Sequence, residues 1–239
     1  MNVIVFASRK GGSGKSTLAA HLAAHVHKPS RACLLVDTDP QGSLTLWHKL
    51  RNAQLPTKDP QPDDLPLKVA LRGVGDIVRA AKRDGVEWVF IDTAPNMSWS
   101  VTEAIRAATL VVVPCRPGVF DLEAVRETVS FARQMRKPYA VVINGAPPRR
   151  QDTESPMVAH ARETLLGLNI PVWGGQITQR ANFTLALVDG EGAKEYDAES
   201  AAAAEIGRLW AAIEKSVKAI HGARDGAAMH RVAAQSAAA

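Results

Sequence analysis

The sequence predicts an α/β fold: a single domain in which a mostly parallel, twisted sheet carries helices on both faces. Three observations lead there. Short β-branched apolar runs alternate with longer amphipathic stretches, the pattern of successive βα units. Most of those runs are apolar at nearly every position, as strands covered on both sides require. The chain has 239 residues, 46% of them hydrophobic and 22% charged, enough to bury one core and to exclude disordered and fibrous classes.

Taken in order, NVIVFA at residues 2–7 is the first strand, and a glycine-rich turn leads from it into a helix over 14–27 (LAAHLAAHVH). CLLVD at 33–37 is the second strand. The stretch 54–66 holds four prolines and three aspartates and reads as a surface loop. A short strand near 67–70 and a helix over 75–84 follow. WVFID at 88–92 is a fully apolar strand ending in an acid, with a helix over 98–107 after it. LVVVP at 110–114 and YAVVIN at 139–144 are strands separated by a helix over 122–135. The loop 144–152 (NGAPPRRQD) is rich in proline and arginine, and helices are expected over 156–166, 183–188 and 198–220. Residues 222–239 are alanine-rich with little periodicity and read as a frayed tail, which places the folded domain at 1–221. No internal repeat is present.

The two cysteines, Cys33 and Cys115, sit in apolar runs, which favours buried, reduced thiols over a disulfide framework. No window approaches the ~20 apolar residues of a membrane span, and MNVIVFAS lacks the charged start of a signal peptide, so the expected location is cytoplasmic. His21 and His25 lie four apart on one helix with His27 nearby, but no carboxylate or cysteine shares their spacing, so they read as ordinary helix residues.

The chemistry begins after the first strand, at Lys10-Gly11-Gly12-Ser13-Gly14-Lys15-Ser16-Thr17. Strand, glycine-rich turn and helix in that order suit a triphosphate. Glycines let the backbone approach its oxygens, successive N–H groups and the helix N-terminus point at negative charge, Lys15 meets the β- and γ-phosphates, and the Ser16 hydroxyl suits Mg²⁺. The fold class therefore sharpens to a P-loop NTPase. At the end of the second strand stand Asp37 and Asp39, where a metal and an attacking water would sit. Asp92, ending its own apolar strand, has the form of a Walker-B acid supporting the Mg²⁺.

Arg9 occupies the first glycine position of the ordinary phosphate-loop pattern, and an extra lysine, Lys10, precedes Gly11. This variant resembles the deviant Walker-A signature of the ParA/MinD family of ATPases. The resemblance implies that Lys10 reaches across an ATP-sandwiched homodimer to the partner's nucleotide. Asp37-Thr38-Asp39-Pro40-Gln41-Gly42 resembles the family's switch segment, which implies that Asp37 contacts the metal's hydration shell and Asp39 orients the hydrolytic water. Asn144 is similar to a strand-terminal adenine reader. Gln176 to Arg180 and Tyr196 to Ser200 are similar to the family's C-terminal patterns, so the resemblance spans about residues 1–210. The sequence departs after Asp92, where it reads DTAPN.

By the same resemblance the chain is expected to be a partner-stimulated ATPase using ATP and Mg²⁺. Its ATP form would dimerise, hold non-specific DNA on the nucleoid, and position or segregate a plasmid, chromosome region or protein cargo, with a ParB-like or adaptor protein stimulating hydrolysis. The net charge of +5 suits a polyanion. Arg149, Arg150, Lys215 and Lys218 are the DNA-contact candidates, and sequence-specific readout is not expected because no helix-turn-helix precedes the first strand. The alternatives are a MinD-like membrane-associated regulator and a metabolic P-loop ligase. The final stretch lacks the bulky amphipathic face of a membrane anchor, while Lys10 and the Asp37–Gly42 segment weigh against a ligase.

Overall fold

The computed structural model of the chain describes residues 1–54 and 65–236. Residues 55–64 of the expected loop and the last three residues of the tail lie outside them. The chain runs β1 (Asn2–Phe6), α1 (Lys15–Val26), β2 (Cys33–Asp37), α2 (Ser43–Gln54), β3 (Leu67–Val69), α3 (Val74–Arg83), β4 (Trp88–Asp92) and α4 (Trp99–Ala107). It continues through β5 (Leu110–Cys115), α5 (Val119–Gln134), β6 (Tyr139–Ala146), α6 (Pro156–Gly167), β7 (Ile177–Thr178), α7 (Ala181–Val188), α8 (Ala193–Tyr196) and α9 (Ala201–Ser236).

The strands form one seven-stranded sheet in the order β3-β2-β4-β1-β5-β6-β7, with every strand pair parallel. Alternate residues of β1 explain its two-sided burial. Val3 and Val5 pack toward α3, α4, α5 and α6, whereas Ile4 and Phe6 pack toward α1, α2 and α7 to α9. On the second face Trp210 of α9 meets Trp88 edge-on, with ring centroids 4.5 Å apart, which locks the last helix to β4. Parallel pairing puts all the strand C-termini on one edge, and β1 lies between β4 and β5 there.

Three elements go beyond the sequence reading. Helix α2 stands where no element was expected, α8 fills four residues, and β7 is a two-residue strand held against β6. The last helix was expected to end at Ile220 and instead continues to Ser236. The reason is alanine's high intrinsic helix propensity, which needs no apolar periodicity.

Candidate functional site

The site is built on the C-terminal edge of β1, β4 and β2. Threonine hydroxyls staple these strand ends: Thr93 Oγ1 donates to the Phe6 carbonyl and Thr38 Oγ1 to the Asp92 carbonyl, each at 2.7 Å. Asp37 and Asp92 are register partners on neighbouring strands, so both carboxylates sit at the same level. The turn from β1 into α1 passes over them. Gly14 adopts φ +97° at its end, and a Cβ there would overlap the amide of Asn144, so no other residue fits. Asn144, buried at the end of β6, donates from Nδ2 to the Ser13 carbonyl at 2.7 Å and thereby anchors the loop.

A cavity of about 450 Å³ opens beside this turn, lined by Gly11, Gly12, Gly14, Lys15, Ser16 and Thr17 on one side and by Asp39, Leu44, Trp47 and Leu187 on the other. Lys15 is buried, and its Nζ donates to the Lys10 carbonyl at 3.4 Å. Burial holds its pKa below the ordinary lysine value, while the negative charges of Asp92 and Asp39 pull it back up.

Asp92 is fully buried, and neither of its carboxyl oxygens accepts a well-formed hydrogen bond among the described residues, although the Ser16 hydroxyl interacts with them. Burial pushes its pKa up to about 7; the Ser16 hydroxyl opposes the shift, Asp37 adds to it, and Lys15 opposes it again. A hard cation would answer that buried carboxylate. The donors gathered here are oxygens throughout (Ser16, Asp37, Asp39, Asp92), so the residues fit Mg²⁺. Among the described residues no group of three or more His, Cys, Asp and Glu could hold a metal alone.

Asp37 spends its oxygens locally. Oδ1 accepts from the Asp39 N–H at 3.1 Å, and Oδ2 accepts from the Thr45 N–H at 2.9 Å and the Thr45 hydroxyl at 2.6 Å. It therefore caps the start of α2 and sets the loop that carries Asp39, which is half-buried and accepts from the Gln41 N–H at 3.0 Å. Lys10 is engaged within its own chain: Nζ lies 2.6 Å from Asp121 Oδ2 and 5.9 Å from the centre of the exposed Phe120 ring. Arg9 likewise ties the loop to α5, through Glu127 at 3.0 Å and through its backbone N–H on Thr128 Oγ1.

Residues 4–193 match the family described as the CobQ/CobB/MinD/ParA nucleotide binding domain. The chain belongs to this family. The relatives of this MinD/ParA-family chain include the chromosome-partitioning ATPase Soj of Thermus thermophilus, 32% identical over 154 residues, covering 56% of this chain and 62% of that protein. Another is the maintenance of carboxysome distribution protein A of Gloeobacter kilaueensis, 36% identical over 131 residues, covering 54% and 56%. The match to these curated relatives thus spans little more than half of their length. The Mg-ADP complex of the septum site-determining protein MinD from Pyrococcus horikoshii shares the fold, with a TM-score of 0.70 at 18% identity, covering 92% of this chain and 98% of that one.

Other members of the MinD/ParA chain's expected site are dispersed. Arg149 is paired with Glu154 at 2.8 Å, Arg150 is exposed in the same loop, and Lys215 and Lys218 are exposed on α9. Among the described residues no helix is long and apolar enough to cross a membrane. Cys33 and Cys115 are buried free thiols, pushed up to about 12 by burial. His21 is a core link, its Nε2 3.1 Å from the Phe183 carbonyl and its Nδ1 accepting from the Ala193 N–H at 3.1 Å.

Sequence reasoning missed Thr45, Asp121, Trp47 and Leu187. The spacing of Leu44 and Trp47, three apart after the switch segment, was a usable sign of an amphipathic helix. Asp121 gave no sign, because its partner lies 111 residues away.

Proposed function

We propose that this chain is a Mg-ATP-dependent dimerising ATPase switch. Its ATP form binds non-specific DNA and positions or segregates a plasmid, chromosome region or protein cargo, and a ParB-like or adaptor partner stimulates hydrolysis. The observation that carries this reading is the buried Lys15 beside a glycine-rich loop, within electrostatic reach of the buried Asp92 carboxylate and the half-buried Asp39. A triphosphate laid on the loop would meet N–H groups, Lys15 and the N-terminus of α1, while the Ser16 hydroxyl and Asp92 hold Mg²⁺ beside it. The metal, when bound, neutralises charge on the β- and γ-oxygens. Asp39 stands at the cavity wall where it would orient a water toward the γ-phosphorus; hydrolysis then yields ADP and phosphate.

Lys10 is the residue that points to a dimer. A second lysine near the transferred phosphoryl supplies charge that Lys15 alone cannot, and in one chain it is drawn to Asp121 instead. The names of Soj and of the carboxysome distribution protein support a positioning role. Titration with ATP and Mg²⁺ tests the site: Lys15→Ala should abolish nucleotide binding, and undiminished affinity would refute the assignment. Asp39→Ala should accumulate as an ATP-bound dimer by light scattering; a variant that stays monomeric and hydrolyses ATP normally contradicts the role given to Asp39.

A further inference from the structure

Among the described residues, most cations on or around the phosphate loop are already engaged. Arg9 pairs with Glu127, Lys10 pairs with Asp121, and Lys15 is buried near Asp92 and Asp39. Arg116 differs. It lines the cavity with Gly14 and Thr17, it is exposed, and its side chain makes no ion pair or hydrogen bond with any described residue. It leaves the end of β5, and its stem lies across Gly145 on the neighbouring β6. A Cβ built at Gly145 would stand 3.7 Å from its Cγ and Nε and 3.9 Å from its Cζ. The guanidinium is thus held on the β6 side of the loop, next to the residue whose amide anchors Ser13.

The sheet order decides what such a group faces. Asp37 and Asp92 end β2 and β4 on one side of β1, so the metal and the terminal phosphates belong there; β5 and β6 lie on the other side. A nucleotide whose phosphates occupy the loop must send its nucleoside toward β5 and β6. We infer that Arg116 closes the nucleoside end of the cavity, laying its planar guanidinium against the face of the base, with Gly145 as the floor beneath its stem. This rests on the reading above that ATP occupies the cavity.

Calorimetric titration of the full chain separates the two. Mg-ATP, ADP and inorganic tripolyphosphate are each titrated into the wild type, Arg116→Gln, Arg116→Lys and Lys15→Ala. Arg116→Gln should weaken ATP and ADP about tenfold while leaving tripolyphosphate within about twofold, and Arg116→Lys, charged but not planar, should stay near the glutamine value. Unchanged ATP affinity in Arg116→Gln overturns the inference. So does an equal loss for tripolyphosphate, which would place the guanidinium on phosphate. A wild type that binds neither nucleotide nor tripolyphosphate overturns the ATP reading itself. If Lys15→Ala loses ATP while Arg116→Gln does not, only the role of Arg116 falls.

Discussion

At Asp92 the fold buries a carboxyl that accepts no well-formed hydrogen bond among the described residues, and burial, only partly offset by the Ser16 hydroxyl, lifts its pKa to about 7 from an ordinary value near 4. The ligand-free protein therefore holds a proton there that the unfolded chain releases. Stability contributed by that proton is complete below about pH 4 and is lost as pH rises toward 7. Asp92→Asn, which keeps the shape and removes the charge, should raise the stability of the ligand-free protein at pH 8 by about 1–3 kcal/mol and leave it nearly unchanged at pH 4. Urea unfolding at the two pH values checks this; an equal gain at both would mean that the charge is not what the fold resists. The same variant should bind Mg-ATP more weakly, because the carboxylate that destabilises the empty site is the one a cation would use. Chelation with EDTA should then lower ATP affinity in the wild type far more than in Asp92→Asn.

Among the elements, α1 is the axis on which the site turns, and His21 ties it to its neighbours. Its ring accepts from the Ala193 N–H of α8 and donates to the Phe183 carbonyl of α7, an arrangement open only to the neutral imidazole. Burial accordingly drives its pKa down to about 4. Below pH 6.5 the unfolded chain takes up a proton that the folded one refuses, so this contribution is present above 6.5 and is lost as pH falls toward 4, with a slope approaching 1.4 kcal/mol per pH unit, roughly. Asp92 acts in the opposite sense across much of the same window, so the two offset each other in the wild type. Asp92→Asn alone should lose stability on acidification, and His21→Leu alone should gain it relative to the wild type. Parallel pH profiles for the two variants would refute both assignments. Little of this was legible in the sequence. The strands Cys33–Asp37 and Trp88–Asp92 were readable to the residue, because an unbroken apolar run ending in an acid leaves no choice of boundary. The phosphate loop was readable for the same local reason. Helix α2 was not, since Leu46 and Leu50 face outward and blur the stripe that Leu44 and Trp47 bury. Strand β7 exists only through its pairing with β6, and the contacts His21–Ala193, Lys10–Asp121 and Asn144–Ser13 join residues more than a hundred positions apart. Contacts of that kind are made by the topology and leave no local pattern.

For the whole molecule, the proposed function requires a modest excess of positive charge to become a switchable grip on DNA. One chain carries a net +5, and its exposed basic residues are spread over separate elements, with Arg149 paired to a Glu154 that also pairs with Arg162. Such a surface holds a polyanion weakly. Two chains joined by ATP, as proposed, would present Lys215 and Lys218 of α9 twice on one body, and linking two weak contacts converts the second into an intramolecular step. Each lysine that neutralises a phosphate also releases a counterion, so the dimer should show about twice the salt dependence of the monomer. Retention of the ATP form on DNA should therefore fall by at least tenfold between about 50 and 200 mM salt, with a steeper log–log slope than in the ADP form. Lys215→Gln/Lys218→Gln should flatten the ATP-form slope by up to about four, one per lysine in each protomer, and leave nucleotide affinity intact, since neither lysine lines the phosphate-loop cavity. Fluorescence anisotropy on a labelled duplex across a salt series measures both quantities. An unaltered slope in the double variant would remove α9 from the DNA-facing surface and leave Arg150 and the loop after β6 as the place to look.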